Sequence, residues 1–325
     1  MANNIQLRSL GNSGIQVAPV AFGGWPISGM TSRGVSEADS IATLAACFDV
    51  GINFLDTAYC YGAHGESERL IARATAGRRE QVVIATKGGI EWDSDLKMVR
   101  DARPATLRRH CEESLKRLGT DYVDLLYLHA PDAHTSVAES AGELKRLMEE
   151  GKTRSVGASN MTLAQLEEFA ACCPLTAYQP HYNMVLREIE ADRLPWCIKN
   201  NVAVVVYWPL LKGLLAGKLT RDHTFEPGDG RPKYSQFRGD EWQKNHDLLD
   251  VLRPIAAECG RTMAQLAINW TIHRPGITAA LCGAKRPDQL RDNAGGMGWR
   301  LTDDQLARIE AALRQRGTPE SMRAV

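Results

Sequence analysis

The chain carries no excess of either charge. Lysine plus arginine and aspartate plus glutamate number 39 each, for a net charge of zero. That removes the electrostatic basis for capturing nucleic acid or an anionic membrane. No uninterrupted apolar run approaches the ~20 residues that a membrane helix requires. The start, MANNIQLRSLG, has no basic segment leading into an apolar one, so no secretory signal is expected and the protein reads as cytoplasmic. None of the eight cysteines (Cys47, Cys60, Cys111, Cys172, Cys173, Cys197, Cys259, Cys282) falls in a CxxC spacing. They read as small buried hydrophobes in a reducing compartment, with neither disulfides nor a metal site. Cys60 stands apart as an oxidisable position between Tyr59 and Tyr61. Finally, no GxGxxG follows the first strand candidate. The glycines of AFGGWPISGM neither keep that spacing nor open a helix, which counts against an open dinucleotide-binding sheet.

What is present is a βα rhythm. Of 325 residues, 44% are apolar and 24% charged, the balance of a globular protein with a sizeable core. Eight β-rich runs recur, at 17–24, 52–58, 82–88, 123–130, 153–160, 176–183, 202–210 and 277–284. Amphipathic stretches lie between them, several ending at glycine (Gly51, Gly119, Gly151), with Thr135 and Thr162 as N-cap candidates. Strands alternating with helices imply right-handed βαβ units. Eight of them imply closure into a (β/α)8 TIM barrel, taken as one domain over 1–325. Two regions break the rhythm. IQLRSLGNSGIQVAPV reads as a hairpin around Asn12–Gly14 that covers the barrel's bottom. Residues 211–245, after the seventh strand, form a long Gly-, Pro- and charge-rich loop, placed to act as a lid or cofactor clasp.

Just past three successive strands stand Asp56 and Tyr61, Lys87, and His129. Each alone has a plain structural role open to it, as a strand-end cap, a packing ring, a surface charge or a core imidazole. Together they form a proton-transfer set. A phenol with an ordinary pKa near ~10 needs a stabilised phenolate to work at neutral pH. An ammonium at Lys87 supplies that, Asp56 keeps the ammonium charged, and His129 donates a hydrogen bond to a carbonyl oxygen.

At these residues the chain resembles the aldo-keto reductase superfamily, from about residue 5 to residue 315, and within it the bacterial general-stress-type enzymes. DTAYCYG resembles the D-T-A-x-x-Y-G signature, with Asp56 and Tyr61 in the acid and proton-donor positions. IATKGG and LHAPD resemble the segments of the catalytic lysine and histidine. The resemblance implies that Ser159, Asn160 and Gln179 hold a nicotinamide carboxamide, that Tyr207 stacks on its ring, and that Leu210, Lys212 and Gly213 hold the pyrophosphate. It also implies that the GA-x-x-P-x-Q-L-x-x-N segment from Gly283 holds the adenosine end, through Gln289 and Asn293. The charges of Lys285 and Arg286 there, at a helix start, suit the 2′-phosphate of NADP. Trp208 stands where the family often has Ser. Ala130 stands where Trp is frequent, and the loss of that indole implies a wider substrate pocket; Trp25 and Trp92 are candidate apolar walls.

The expected function is NADP(H)-dependent interconversion of a carbonyl and an alcohol on a small molecule. Two alternatives stay open from sequence: a barrel lyase forming a Schiff base on Lys87, and a regulatory protein that senses redox state through bound cofactor with little turnover.

Overall fold

The computed structural model describes residues 5–30 and 34–320. Residues 1–4, part of the segment on which the expectation of no secretory signal rests, lie outside the described residues. The chain enters through an antiparallel hairpin, β1 (Arg8–Ser9) and β2 (Gln16–Val17). The barrel strands are β3 (Val20–Gly23), β4 (Phe54–Asp56) and β5 (Val83–Gly88), then, after a rim hairpin of β6 (Ile90–Trp92) and β7 (Met98–Arg100), β8 (Leu125–Leu128), β9 (Val156–Ser159), β10 (Ala177–Gln179), β11 (Ala203–Val206) and β12 (Ile277–Cys282). The eight are parallel and close in the order β10-β11-β12-β3-β4-β5-β8-β9. This is the (β/α)8 barrel that the eight runs imply, with each strand shorter than its run.

Around it lie α1 (Glu37–Asp49), α2 (Glu66–Ala74), α3 (Pro104–Leu118), α4 (Val137–Glu149), α5 (Leu163–Cys172), α6 (Arg193–Lys199), α7 (Gly239–Glu258), α8 (Met263–Ile272), α9 (Pro287–Ala294) and α10 (Asp303–Arg316). Among the described residues no helix is long and apolar enough to cross a membrane. Thr162 caps α5 as expected, but α4 is capped by Ser136 rather than Thr135, because Ser136 and Glu139 make the reciprocal capping box. Thr135 instead donates to Asp132.

Side chains alternate between the barrel's interior and its helix-facing side, as the two-residue period of a strand requires. Phe54, Ala85, Leu125, Ala177 and Val205 point inward, while Leu55, Ile84, Leu126, Tyr178 and Val204 pack under the helices. Counting on by two from the inward residues brings Asp56, Lys87, His129, Ser159, Gln179 and Tyr207 to the inside at the carboxyl ends. The layer beneath them holds Tyr127, aligned with Gly157 across β8 and β9. A Cβ at Gly157 would lie 2.5 Å from the Tyr127 ring, so this layer takes a large residue only beside a missing side chain.

The hairpin closes the opposite end. Leu10 is fully buried within the interior cluster, and the Arg8 guanidinium donates to the carbonyls of Ile277 (3.0 Å) and Thr278 (3.1 Å) at the start of β12. The segment after β11 is less loop-like than its composition implies. It has 3-10 turns at Leu211–Ala216, Arg231–Lys233 and Ser235–Phe237, and α7 already begins at Gly239, where Asp240 and Glu241 favour a helix start. Phe225 meets Phe237 and Trp242 edge-on at 6.0 and 5.8 Å, giving the segment a small core. A buried Arg316–Glu241 ion pair and an Arg316–Asn245 hydrogen bond fasten α10 to the base of that segment.

Candidate active site

Asp56 and Lys87 face each other on neighbouring strands β4 and β5, each 1% exposed. The Lys87 ammonium donates to Asp56 Oδ1 at 2.5 Å and to the Thr57 carbonyl at 2.6 Å, and its third direction meets the Tyr61 hydroxyl at 3.5 Å. No lone pair is left for nucleophilic attack, so this geometry does not favour a Schiff base on Lys87. Tyr61 reaches the ammonium because the chain turns sharply after β4. Thr57 and Tyr59 donate to the carbonyls of Ala85 and Lys87, and Tyr61 N–H closes back on Ala58. The Trp25 ring meets the Tyr61 ring edge-on at 5.1 Å, and the His129 ring does so at 6.1 Å.

Electrostatics here is set by burial. It pushes the Tyr61 phenol well above its ordinary value, with Asp56 adding to the rise. The expected lowering by Lys87 does not set the direction; burial and the Asp56 carboxylate do. The phenol is therefore held protonated, ready to donate. Burial also raises the Asp56 carboxyl, against the pull of Lys87 and of two hydrogen bonds. His129 is driven well below 6.5, first by burial and then by Lys87, so its imidazole is neutral.

The second group of expected residues is wired to the first. Gln179 donates to Asp56 Oδ2 at 2.8 Å, and Ser159 donates to the Gln179 carbonyl at 2.8 Å. Asn160 sits in the left-handed region (φ 58°), which asparagine tolerates. Its amide nitrogen donates to the His129 carbonyl at 2.9 Å, and its amide oxygen accepts from the Tyr207 hydroxyl at 2.7 Å. The Tyr207 ring is thereby fixed at the barrel's mouth.

The turn after β11 has the features of an anion cradle. Leu211, Lys212 and Gly213 run consecutively through positive φ (46°, 52°, 94°), and a Cβ at Gly213 would meet nothing within 4 Å. The Lys212 ammonium lies 4.0 Å over the Trp208 ring and 4.6 Å over that of Tyr234. Among the described residues no carboxylate comes within ion-pair reach of it, and burial pulls its pKa down to about 8. A half-desolvated cation beside an open turn fits a pyrophosphate. Trp208 and Tyr234 were not expected in this role, since the contact spans 22 residues of irregular chain and leaves no periodic signal. At α9, Gln289 accepts from Lys285 N–H at 2.8 Å, Asn293 donates to the Gly283 carbonyl at 3.2 Å, and Arg286 extends outward beside Asp288.

Of the expected pocket walls, Trp25 and Trp92 are partly exposed, and the Trp92 indole donates to the Cys60 carbonyl at 2.8 Å. Ala130 is fully buried, packed with Ala58, Cys60 and Ile90, with Trp92 against the cluster. Among the described residues no group of acidic, His and Cys side chains could hold a metal ion, and all eight cysteines are free thiols.

The family model described as "Aldo/keto reductase family" matches residues 19–314. The chain is 36% identical over 314 residues to "Aldo-keto reductase YhdN" of Bacillus subtilis (strain 168), covering 95% of this chain and 94% of that one. It is 32% identical over 309 residues to the "NADH-specific methylglyoxal reductase" of Escherichia coli (strain K12), covering 90% and 94%. In three dimensions it is similar to the glycerol dehydrogenase AKR11B4 from Gluconobacter oxydans, with a TM-score of 0.89 at 33% identity over 99% of both chains.

Proposed function

Because this chain belongs to the aldo/keto reductase family, we propose that it interconverts a small-molecule carbonyl (aldehyde, ketone or sugar) and its alcohol with NADP(H), using Tyr61 as general acid and base. Family membership makes it an oxidoreductase that works with a nicotinamide cofactor. The observation that carries the finer reading is the Tyr61 hydroxyl 3.5 Å from the Lys87 ammonium, itself paired to buried Asp56.

When bound, the nicotinamide supplies the hydride in the reductive direction. Neutral His129 orients the carbonyl oxygen by donating a hydrogen bond. Tyr61 gives that oxygen its proton, and Lys87 steadies the phenolate left behind. Asp56 holds Lys87 charged in a site that would otherwise penalise it. In the alcohol-to-carbonyl direction the phenolate takes the proton back.

Ser159, Asn160 and Gln179 would hold the carboxamide and Tyr207 the ring. Leu210, Lys212 and Gly213 would hold the pyrophosphate, with Tyr234 and the segment around it as a clasp. Gly283, Lys285, Arg286, Gln289 and Asn293 would hold the adenosine end. Two facts support NADP over NAD: Lys285 and Arg286 are both basic, and they lie at the start of α9, where a phosphate is favoured. A relative that is NADH-specific makes the comparison essential. The test is a screen of aldoses, simple aldehydes, ketones and their alcohols with NADP and NAD in parallel. Turnover favouring NADP(H) is the expected result. Tight NADPH binding with negligible turnover across the panel would replace this reading with redox sensing.

A further inference from the structure

The thiol of Cys60 lies 3.6 Å from Nδ1 of His129, with both side chains buried. The mechanism above gives Cys60 no role. Its backbone is pinned by the Trp92 indole, and its side chain packs among Ala58, Ile90 and Ala130. His129 is likewise fixed at its backbone, its N–H donating to the Gly88 carbonyl at 2.9 Å and its own carbonyl accepting from Asn160. These bonds place the ring but do not choose which nitrogen carries the proton.

That choice matters, because a neutral imidazole has one N–H and one lone pair, and only the N–H can hold a carbonyl oxygen. Burial keeps His129 neutral, so the choice is a real one. Two arrangements are possible at Cys60. In one, S–H points at Nδ1, whose lone pair is a good acceptor. In the other, Nδ1–H points at sulfur, which accepts weakly. Burial pushes the thiol up to about 12, so the proton that the first arrangement needs is present.

We infer that Cys60 is a positioning residue whose thiol donates to Nδ1 of His129 and holds the imidazole as its Nε2–H tautomer, the form that can bind a substrate carbonyl oxygen. The inference rests on the reading of His129 as the group that orients that oxygen.

The test uses the full chain labelled with 15N-histidine, free of cofactor, and reads the His129 tautomer from long-range 1H–15N correlations. The His129 signals are identified by their loss in His129→Gln. The natural protein is expected to show Nε2 protonated and Nδ1 as a lone-pair nitrogen. Cys60→Ala is expected to show mixed tautomers and Cys60→Ser the natural pattern. In carbonyl reduction, kcat should fall about three- to tenfold in Cys60→Ala at unchanged NADPH affinity, and Cys60→Ser should recover most of it. A natural protein with Nδ1 protonated overturns the inference, even where Cys60→Ala does not fold. So does a Cys60→Ala protein that keeps Nε2–H alone. The spectra need no turnover. Absence of any carbonyl reduction would therefore count against the proposed function alone.

Discussion

The side-chain amide of Gln179 donates to Oδ2 of Asp56, while Lys87 takes Oδ1. A residue assigned by resemblance to the cofactor is thus bonded, across the barrel interior, to the acid of the proton-transfer set. The two sets share a carboxylate that is 1% exposed.

Removing that amide should cost stability even without cofactor. Gln179→Leu leaves a buried carboxylate oxygen without its donor, at a cost of about 1–3 kcal/mol. Denaturant melts of the free protein should show the loss, and NADPH titration a separate weakening of binding. A free protein as stable as the natural one would mean that Oδ2 finds another donor.

Tyr61→Phe should bind NADPH within about twofold of the natural affinity and lose at least ~100-fold in kcat. The pH profile carries a second expectation. The phenol donates from its protonated form, and burial places its pKa well above 10. Ionisation of Tyr61 should therefore leave the reductive kcat flat from about pH 6 to about pH 9, with loss only as pH rises further.

Lys212 should make cofactor affinity depend on pH. Its free pKa is about 8, lowered by burial, with Asp229 opposing and Arg231 adding to the drop. A pyrophosphate against the ammonium raises that pKa in the complex. The binding contribution is then complete below about pH 8 and lost as pH climbs from there toward the bound value, by at most about tenfold per unit. NADPH titrations between about pH 6.5 and about pH 9.5 measure this. Lys212→Met should bind more weakly at the low end and lose the slope.

Arg286→Ala and Lys285→Ala should separate the two nicotinamide cofactors. On the proposed reading each would delete a charge-assisted contact to a 2′-phosphate, so NADPH should weaken by roughly tenfold, at about 1.5–3 kcal/mol per such hydrogen bond before solvent screening. NADH, which lacks that phosphate, should change little. Equal losses for both would place these side chains away from the 2′-phosphate.

The barrel was readable in the sequence because parallel strands buried on both faces leave near-continuous apolar runs, as in AVVV of β11, with all four residues buried. Asp56, Lys87 and His129 were readable for a related reason. They end those runs, and the two-residue alternation turns them inward together. The sandwich of Lys212 between Trp208 and Tyr234 left no such trace, since it depends on how an irregular segment folds back. The raised Tyr61 phenol was also missed. Proximity to Lys87 is visible in a motif, but the desolvation of the phenol and the raising charge of Asp56 are properties of the packed site. The packing of Ala130 left no trace for the same reason, because what covers a small residue is decided by neighbours distant in sequence.

The pairing of Tyr127 with Gly157 bears on how this protein can diverge. The ring and the Ala177 carbonyl together fill the space that a side chain at 157 would occupy, so position 157 stays glycine whatever stands at 127. Gly157→Ala is barred twice over, by the Tyr127 ring at 2.5 Å and by the Ala177 carbonyl oxygen at 2.8 Å, a backbone atom that trimming residue 127 does not move. Any lineage or library that adds a side chain at 157 would shift the floor on which Asp56 and Lys87 stand.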